Sequence, residues 1–154
     1  MKSIHDLLHE HPFFEGLTPE MVDVVSGCGI NVHLDPGEVL FAANDPADRF
    51  FVLRRGKVAL EIDTPRSGPL VIGTLGPGEV LGVSWILPPY RASFDARAIE
   101  DTSAVSIDAA CLRDKCDADH ELGYNLYKRF AGLVRDRLQA TRVQLLDVYG
   151  SHDS

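Results

Sequence analysis

Apolar positions along this chain fall into two textures. Before residue 30 they have helical spacing. Ser3 precedes Asp6 by three residues, a capping-box pattern, and Leu7 and Leu8 supply an apolar face. Thr18-Pro19-Glu20 is a stronger helix start, because Thr caps, Pro occupies the first helical position and Glu suits the positive end of the dipole. That helix is predicted through Met21, Val22 and Val25, ending at Gly27 and Gly29. From Ile30 to Ile107 the texture changes to short β-branched and apolar runs: Phe50–Leu53, Val58–Ile62, Leu70–Leu75 and Ala104–Ile107. Turn signals separate them, among them Asp35-Pro36-Gly37, Asn44-Asp45-Pro46, Arg55-Gly56-Lys57, Ser67-Gly68-Pro69 and Gly76-Pro77-Gly78. That rhythm predicts an all-β sandwich, barrel or roll and argues against βαβ units. Helical spacing then returns. Asp108 caps a helix over about 109–116, and Asp119 opens the longest one, to about Val148. Leu122, Leu126, Phe130 and Leu133 share one face of it. Val134, Leu138, Thr141, Leu145 and Val148 continue as a short heptad seam.

Composition narrows the picture. A chain of 154 residues that is 45% hydrophobic fits one domain with a real core, expected over 1–150 with 151–154 as a disordered tail. No run approaches the ~20 apolar residues of a membrane helix, and the N-terminus lacks an apolar signal-peptide core. These features predict a cytoplasmic protein without a membrane partner. A net charge of −8 disfavours nucleic acid as a partner. Cys28, Cys111 and Cys116 are odd in number and lack paired spacing, so no disulfide framework is expected and a reducing compartment fits. Cys111 and Cys116 read as small buried hydrophobes.

The order of these pieces resembles the cyclic-nucleotide-binding domain of catabolite-activator-type regulators and cyclic-nucleotide-dependent kinases. Leu7-Leu8 through Pro12-Phe13-Phe14-Glu15-Gly16-Leu17 is similar to the family's leading helical segment. Pro36-Gly37-Glu38-Val39-Leu40-Phe41 resembles its first β-turn-β, and Asp45 followed by Phe50 to Val58 resembles its second. Gly76-Pro77-Gly78-Glu79-Val80-Leu81-Gly82 is similar to the approach to its phosphate-binding cassette. The resemblance implies a mainly β fold with flanking helices. This is a double-stranded β-helix or jelly-roll (β-roll), with N-terminal helices and a long C-terminal helix. It also implies a ligand, either a cyclic mononucleotide or another phosphate-bearing nucleotide.

In the family, a Glu follows the last cassette glycine and accepts from the ribose 2′-hydroxyl. An Arg about ten residues later holds the cyclic phosphate, and amides opening a short helix add their dipole. The corresponding stretch here runs from Gly82 through Val83, Ser84, Trp85, Tyr90, Arg91, Ala92 and Ser93, and these eight residues are the candidate ligand contacts. Val83 stands in the Glu position and accepts no hydrogen bond. Arg91 lies one position early, so that Ala92 falls on the family's arginine position when Gly82 and Arg97-Ala98 are held in register. Arg91 reads either as a phosphate anchor or as a surface arginine paired with Asp95. Ser93 reads as a donor to the same anion or as a turn serine. Trp85 and Tyr90 read as stacking platforms for a base or as packing. Arg97 reads as solvent-facing.

His5, His9 and His11 lack a convincing set of metal co-ligands, and no Ser/His/Asp or Cys/His grouping supplies a catalytic centre. The leading expectation is a non-enzymatic, stand-alone sensor module that signals through its last helix and pairs as a homodimer there. The alternative is an accessory subunit of a soluble enzyme complex that docks a protein partner through the Trp85–Arg91 surface. A transcription factor with its own DNA-reading helices is disfavoured, since the family's regulators carry those beyond the long helix and this chain stops at Ser154.

Overall fold

The computed structural model describes residues 2–150, with side chains described through Ala140 and at Arg142. Two short helices lead, α1 (Ile4–Glu10) and α2 (Pro19–Ser26), joined by a 3-10 turn at Pro12–Phe14. Ser3 and Asp6 form the reciprocal capping box, and the Thr18 side chain caps α2 with Pro19 at its first position. Eight strands follow: β1 (Gly29–Leu34), β2 (Val39–Phe41), β3 (Arg49–Arg55), β4 (Val58–Thr64), β5 (Gly68–Leu75), β6 (Val80–Leu81), β7 (Asp95–Ala98) and β8 (Thr102–Asp108). They build two four-stranded antiparallel sheets, ordered β1-β8-β3-β6 and β2-β7-β4-β5. Helices α3 (Ala109–Ala118) and α4 (His120–Gly150) close the chain. This is the β-roll with flanking helices.

Strand alternation sorts the core into two layers. Phe51, Leu53, Leu81 and Ala104 of the first sheet meet Val58, Leu60 and Ala96 of the second, filling the space between sheets. Phe50, Val52, Val80, Val105 and Ile107 point the opposite way and meet Leu8, Val22, Leu112, Leu122, Leu126 and Phe130 from the helices. Each fully buried Leu, Val or Phe contributes roughly 1.5–3 kcal/mol, so the helices are integral to the roll. As α4's pattern predicts, Leu122, Leu126 and Phe130 are buried and Leu133 packs partly against them. Val134 and Leu138 are exposed, whereas Thr141, Leu145 and Val148 of the heptad seam lie outside the described side chains. The tail expected at 151–154 also lies outside the described residues.

The cysteine expectation requires correction. Cys28 and Cys111 form a disulfide, with Cα atoms 5.8 Å apart, and the buried Cys116 is the free thiol. The pairing spans 83 residues, so no local spacing announces it. It arises because β1 runs antiparallel to β8, Gly29 opposite Ile107, which brings the residue before β1 beside the first turn of α3. The Asp108 amide donates to the Cys28 carbonyl at 2.8 Å and locks that junction. With a disulfide present, the cysteines no longer argue for a reducing compartment.

Candidate functional site

Alternation along β3 sets the site. Phe51 and Leu53 face the space between the sheets, and Arg49, two residues earlier, lies on the same side at the open end. There the roll encloses a cavity of about 270 Å³. Its walls are Leu40 and Phe41 of β2, the loop Asp45–Asp48, Arg49 and Phe51 of β3, and the segments Gly82–Ser84 and Ala92–Phe94. Aliphatic and aromatic groups dominate. Arg49 is the one cation in the wall among the described residues, and its Nη1 donates to Ser106 Oγ at 3.1 Å.

The stretch after β6 forms the lid-like edge of this cavity. Gly82 turns the chain at φ +108°, where a side chain would press on Phe50. Residues 82–91 then make turns and contain no helix, so the amide dipole implied by the resemblance is missing. The far end pairs with the 44–47 loop: Asn44 N donates to Ala92 O (2.8 Å), Ala92 N to Asp45 O (2.9 Å) and Ala47 N to Tyr90 O (2.7 Å). This pairing fixes the direction of each side chain. Ala92 faces the roll cavity, while Arg91 points away and donates to the Asn44 carbonyl at 2.9 Å. Asp95 instead accepts from the Ala43 amide at 2.7 Å and is no partner of Arg91.

The eight candidate residues therefore separate. Gly82, Val83, Ser84, Ala92 and Ser93 line the roll cavity. Tyr90 and Arg91 do not; they line a second, more open groove of about 540 Å³ against α4. Trp85 lines neither and is fully buried, stacked on Phe50 at 5.2 Å and edge-on to Phe130 at 5.2 Å. It belongs to the packing between this segment and α4, so its ring offers no platform to a ligand. Arg113 of α3 grips the segment from the side, donating to Trp85 O at 2.7 Å and lying 4.5 Å over the Tyr90 ring. Neither Arg49 nor Arg113 is among the residues that the sequence singles out. The period-two pattern Arg49, Phe51, Leu53 carried the signal for the first; the second had none.

Other singled-out residues find structural roles. Both His11 nitrogens are engaged: Phe13 N donates to Nδ1 at 3.2 Å, which leaves Nε2 to donate to Leu53 O at 3.2 Å. The buried ring's pKa is lowered by desolvation, partly offset by that backbone bond. Neither nitrogen is left for a metal. Arg97 is solvent-facing, with its side chain 43% exposed, and it also donates to the buried Glu61 at 2.6 Å. Among the described residues, no helix is long and apolar enough to cross a membrane.

This arrangement, a ligand-sized cavity between two antiparallel sheets with a glycine-led edge and a long helix behind, defines a class of sensor fold. The chain belongs to the cyclic nucleotide-binding domain family, whose model matches residues 31–119. It is similar to a putative cyclic nucleotide-binding protein from Geobacter metallireducens, with a TM-score of 0.79 and 29% identity over 90% of this chain and 99% of that one. It also resembles the catabolite activator protein of Thermus thermophilus, with a TM-score of 0.69 and 26% identity over 90% of this chain and 63% of that one. Among curated proteins, it is 25% identical over 93% of its length to a CRP-like cAMP-activated global transcriptional regulator of Mycobacterium tuberculosis. The chain spans 62% of that regulator.

Proposed function

We propose that this chain is a ligand-sensing regulatory module that holds a phosphate-bearing nucleotide in the roll cavity and reports occupancy through α4. The observation that carries the reading is a shared wall. Val83, Ser84 and Ser93 border both the roll cavity and the groove against α4. Between them Trp85 packs on Phe130 and, at 5.9 Å, on Tyr127. Arg137 ties α4 to the roll as well, donating to the Val80 carbonyl at 2.6 Å. A ligand that moves residues 82–93 must therefore change the packing of α4, and it biases α4 only through different affinities for the two arrangements. Gly82, Val83, Ser84, Ala92 and Ser93 are the contacts in this reading. Val83 gives a ribose hydroxyl no partner, so ribose and deoxyribose ligands are treated alike. α4 also serves as a two-fold seam, because Val134 and Leu138 are 46% and 60% exposed on its outer face.

Titration calorimetry with cyclic AMP, cyclic GMP and a nicotinamide dinucleotide tests the reading, combined with hydrogen exchange over residues 120–137. Saturable heat with altered exchange in α4 is the expected result. Absence of heat with all three up to about millimolar, near −4 kcal/mol, rejects it. A specific observation supports one other reading, a subunit that docks a protein partner. The groove beside α4 is walled by Ile86, Leu87, Pro89 and Val134, and Leu87 is 71% exposed.

A further inference from the structure

The geometry points to Arg49, on β3, as the anion anchor of the roll cavity, with Ser106 as its positioning residue and a singly charged anion on a largely apolar body as the preferred ligand. This deepens the nucleotide reading above and rests on it. Arg91 donates to a backbone carbonyl outside the cavity and Ala92 carries no charge. If an anion enters the roll, the guanidinium that can meet it comes from the opposite wall.

Arg49 has the properties an anchor requires. It sits at the end of the row Arg49, Phe51, Leu53 that faces between the sheets. One guanidinium nitrogen is held by the hydroxyl of Ser106, a side chain only 1% exposed on the neighbouring strand β8. That bond uses one donor of five and leaves the other edge for a second acceptor. No described carboxylate lies within 4.0 Å of it. An exposed guanidinium that has no ion-pair partner among the described residues and borders an apolar cavity suits a bidentate oxyanion.

The neighbouring carboxylates set the charge limit. Asp45 and Asp48 also border the cavity. Asp45 is committed to the Ala42 amide at 3.0 Å, yet it remains an anion close by. With two carboxylates and one guanidinium in the wall, a dianionic phosphomonoester meets about twice the net repulsion that a monoanion meets. A phosphodiester and a carboxylate share the monoanion's charge. The walls of Leu40, Phe41, Phe51, Val83 and Phe94 favour a flat, weakly polar body beside it.

Three probes separate the possibilities by calorimetry: cyclic AMP, a monoanionic diester; AMP, a dianionic monoester; and adenosine, which is uncharged. Butyrate and benzoate extend the series to carboxylates. Wild-type protein is expected to rank cyclic AMP above both AMP and adenosine. Arg49→Gln should weaken cyclic AMP by about ten- to hundred-fold and leave adenosine nearly unchanged. Arg91→Gln should alter neither, and Ser106→Ala should give an intermediate loss. Arg49→Lys keeps the charge without the fork and should recover only part of the loss, which guards against misfolding of the Gln variant. If Arg91→Gln removes cyclic AMP binding and Arg49→Gln does not, the anchor is misassigned while the nucleotide reading stands. AMP binding tighter than cyclic AMP would overturn the charge limit. If no nucleotide probe binds but a carboxylate does, and Arg49→Gln removes it, the anchor holds and the nucleotide reading fails. If nothing binds wild type at millimolar concentration, both fail together.

Discussion

The Trp85 indole meets the Phe130 ring nearly at right angles, 80° between planes and 5.2 Å between centroids. One residue comes from the segment that edges the roll cavity and the other from the long helix, so this contact is one that joins the two. Edge-to-face pairs of this kind add about 0.5–1.5 kcal/mol beyond the area they bury.

Removing the indole should therefore be costly. Trp85→Ala is expected to lose about 3–5 kcal/mol of stability, read from denaturant midpoints, with a smaller loss for Trp85→Phe. Because Trp85 is the one tryptophan of the chain, its fluorescence reports on this contact alone. Wild-type emission should be blue-shifted and shielded from acrylamide. Emission typical of solvated indole would contradict the buried placement.

Stability should decline on mild acidification because of His11. Burial lowers the folded-state pKa of its imidazole below the usual value near 6.5. The unfolded chain thus takes up this proton first, and unfolding gains relative to folding as pH falls. The contribution is complete above about pH 6.5, shrinks as pH drops, and is lost once pH falls through the folded-state value. His11→Gln should remove that part of the slope between pH 7 and 5 in thermal melts. Equal slopes in the two proteins would contradict the lowered folded-state pKa, since they mean that His11 binds its proton equally in the folded and unfolded chain.

How far these features could be read from the chain follows from the range of the interactions. Local rules placed the helix starts at Ser3 and Thr18, the turns at Gly37, Gly56 and Gly78, and the buried face of α4, because each depends on neighbours a few residues away. Period-two alternation also puts Arg49 on the side of Phe51 and Leu53, at the exposed end of the strand. The direction of Arg91 and Ala92 depends on pairing with a loop more than forty residues earlier, as the Arg91–Asn44 separation of 47 shows. Trp85 and Tyr90 look equally suited to a ligand in the sequence, and only packing against α4 separates them. Spacing alone shows neither the disulfide nor Arg113's hold on Trp85.

The disulfide should be a large part of the chain's stability. In the loop-closure account a bond across 83 residues removes enough unfolded-state freedom that Cys28→Ser with Cys111→Ser should lose about 2–5 kcal/mol. Urea titrations of wild type, reduced wild type and the double variant check this, the last two agreeing. In the native oxidised protein Cys116 should resist alkylation, since burial raises its pKa and keeps the thiol protonated. A thiol count above one on the folded oxidised protein would refute the pairing.

Leu138 tests the two-fold seam. Its side chain stands 60% exposed one turn after Val134, and burying both against a second copy accounts for an apolar stripe on an otherwise charged helix. Leu138→Glu should give a folded monomer by sedimentation, with unchanged circular dichroism. Wild-type protein that sediments as a monomer at about tens of micromolar, a range typical of weak association, removes the basis for the seam.

The bond between Cys28 and Cys111 also determines which parts of the molecule move together. It welds the end of the α1–α2 layer to the first turn of α3, and α3 in turn holds the cavity edge through Arg113. In the oxidised protein these pieces form one mechanical body around the roll, with the strands as a covalently closed ring from residue 28 to 111. The contacts from this body to α4 are noncovalent, among them Trp85 on Phe130 and Arg137 on the Val80 carbonyl. A cut at the exposed Pro65–Ser67 turn would leave two fragments that stay joined under denaturing conditions, heavier by one water, until a reductant opened the ring.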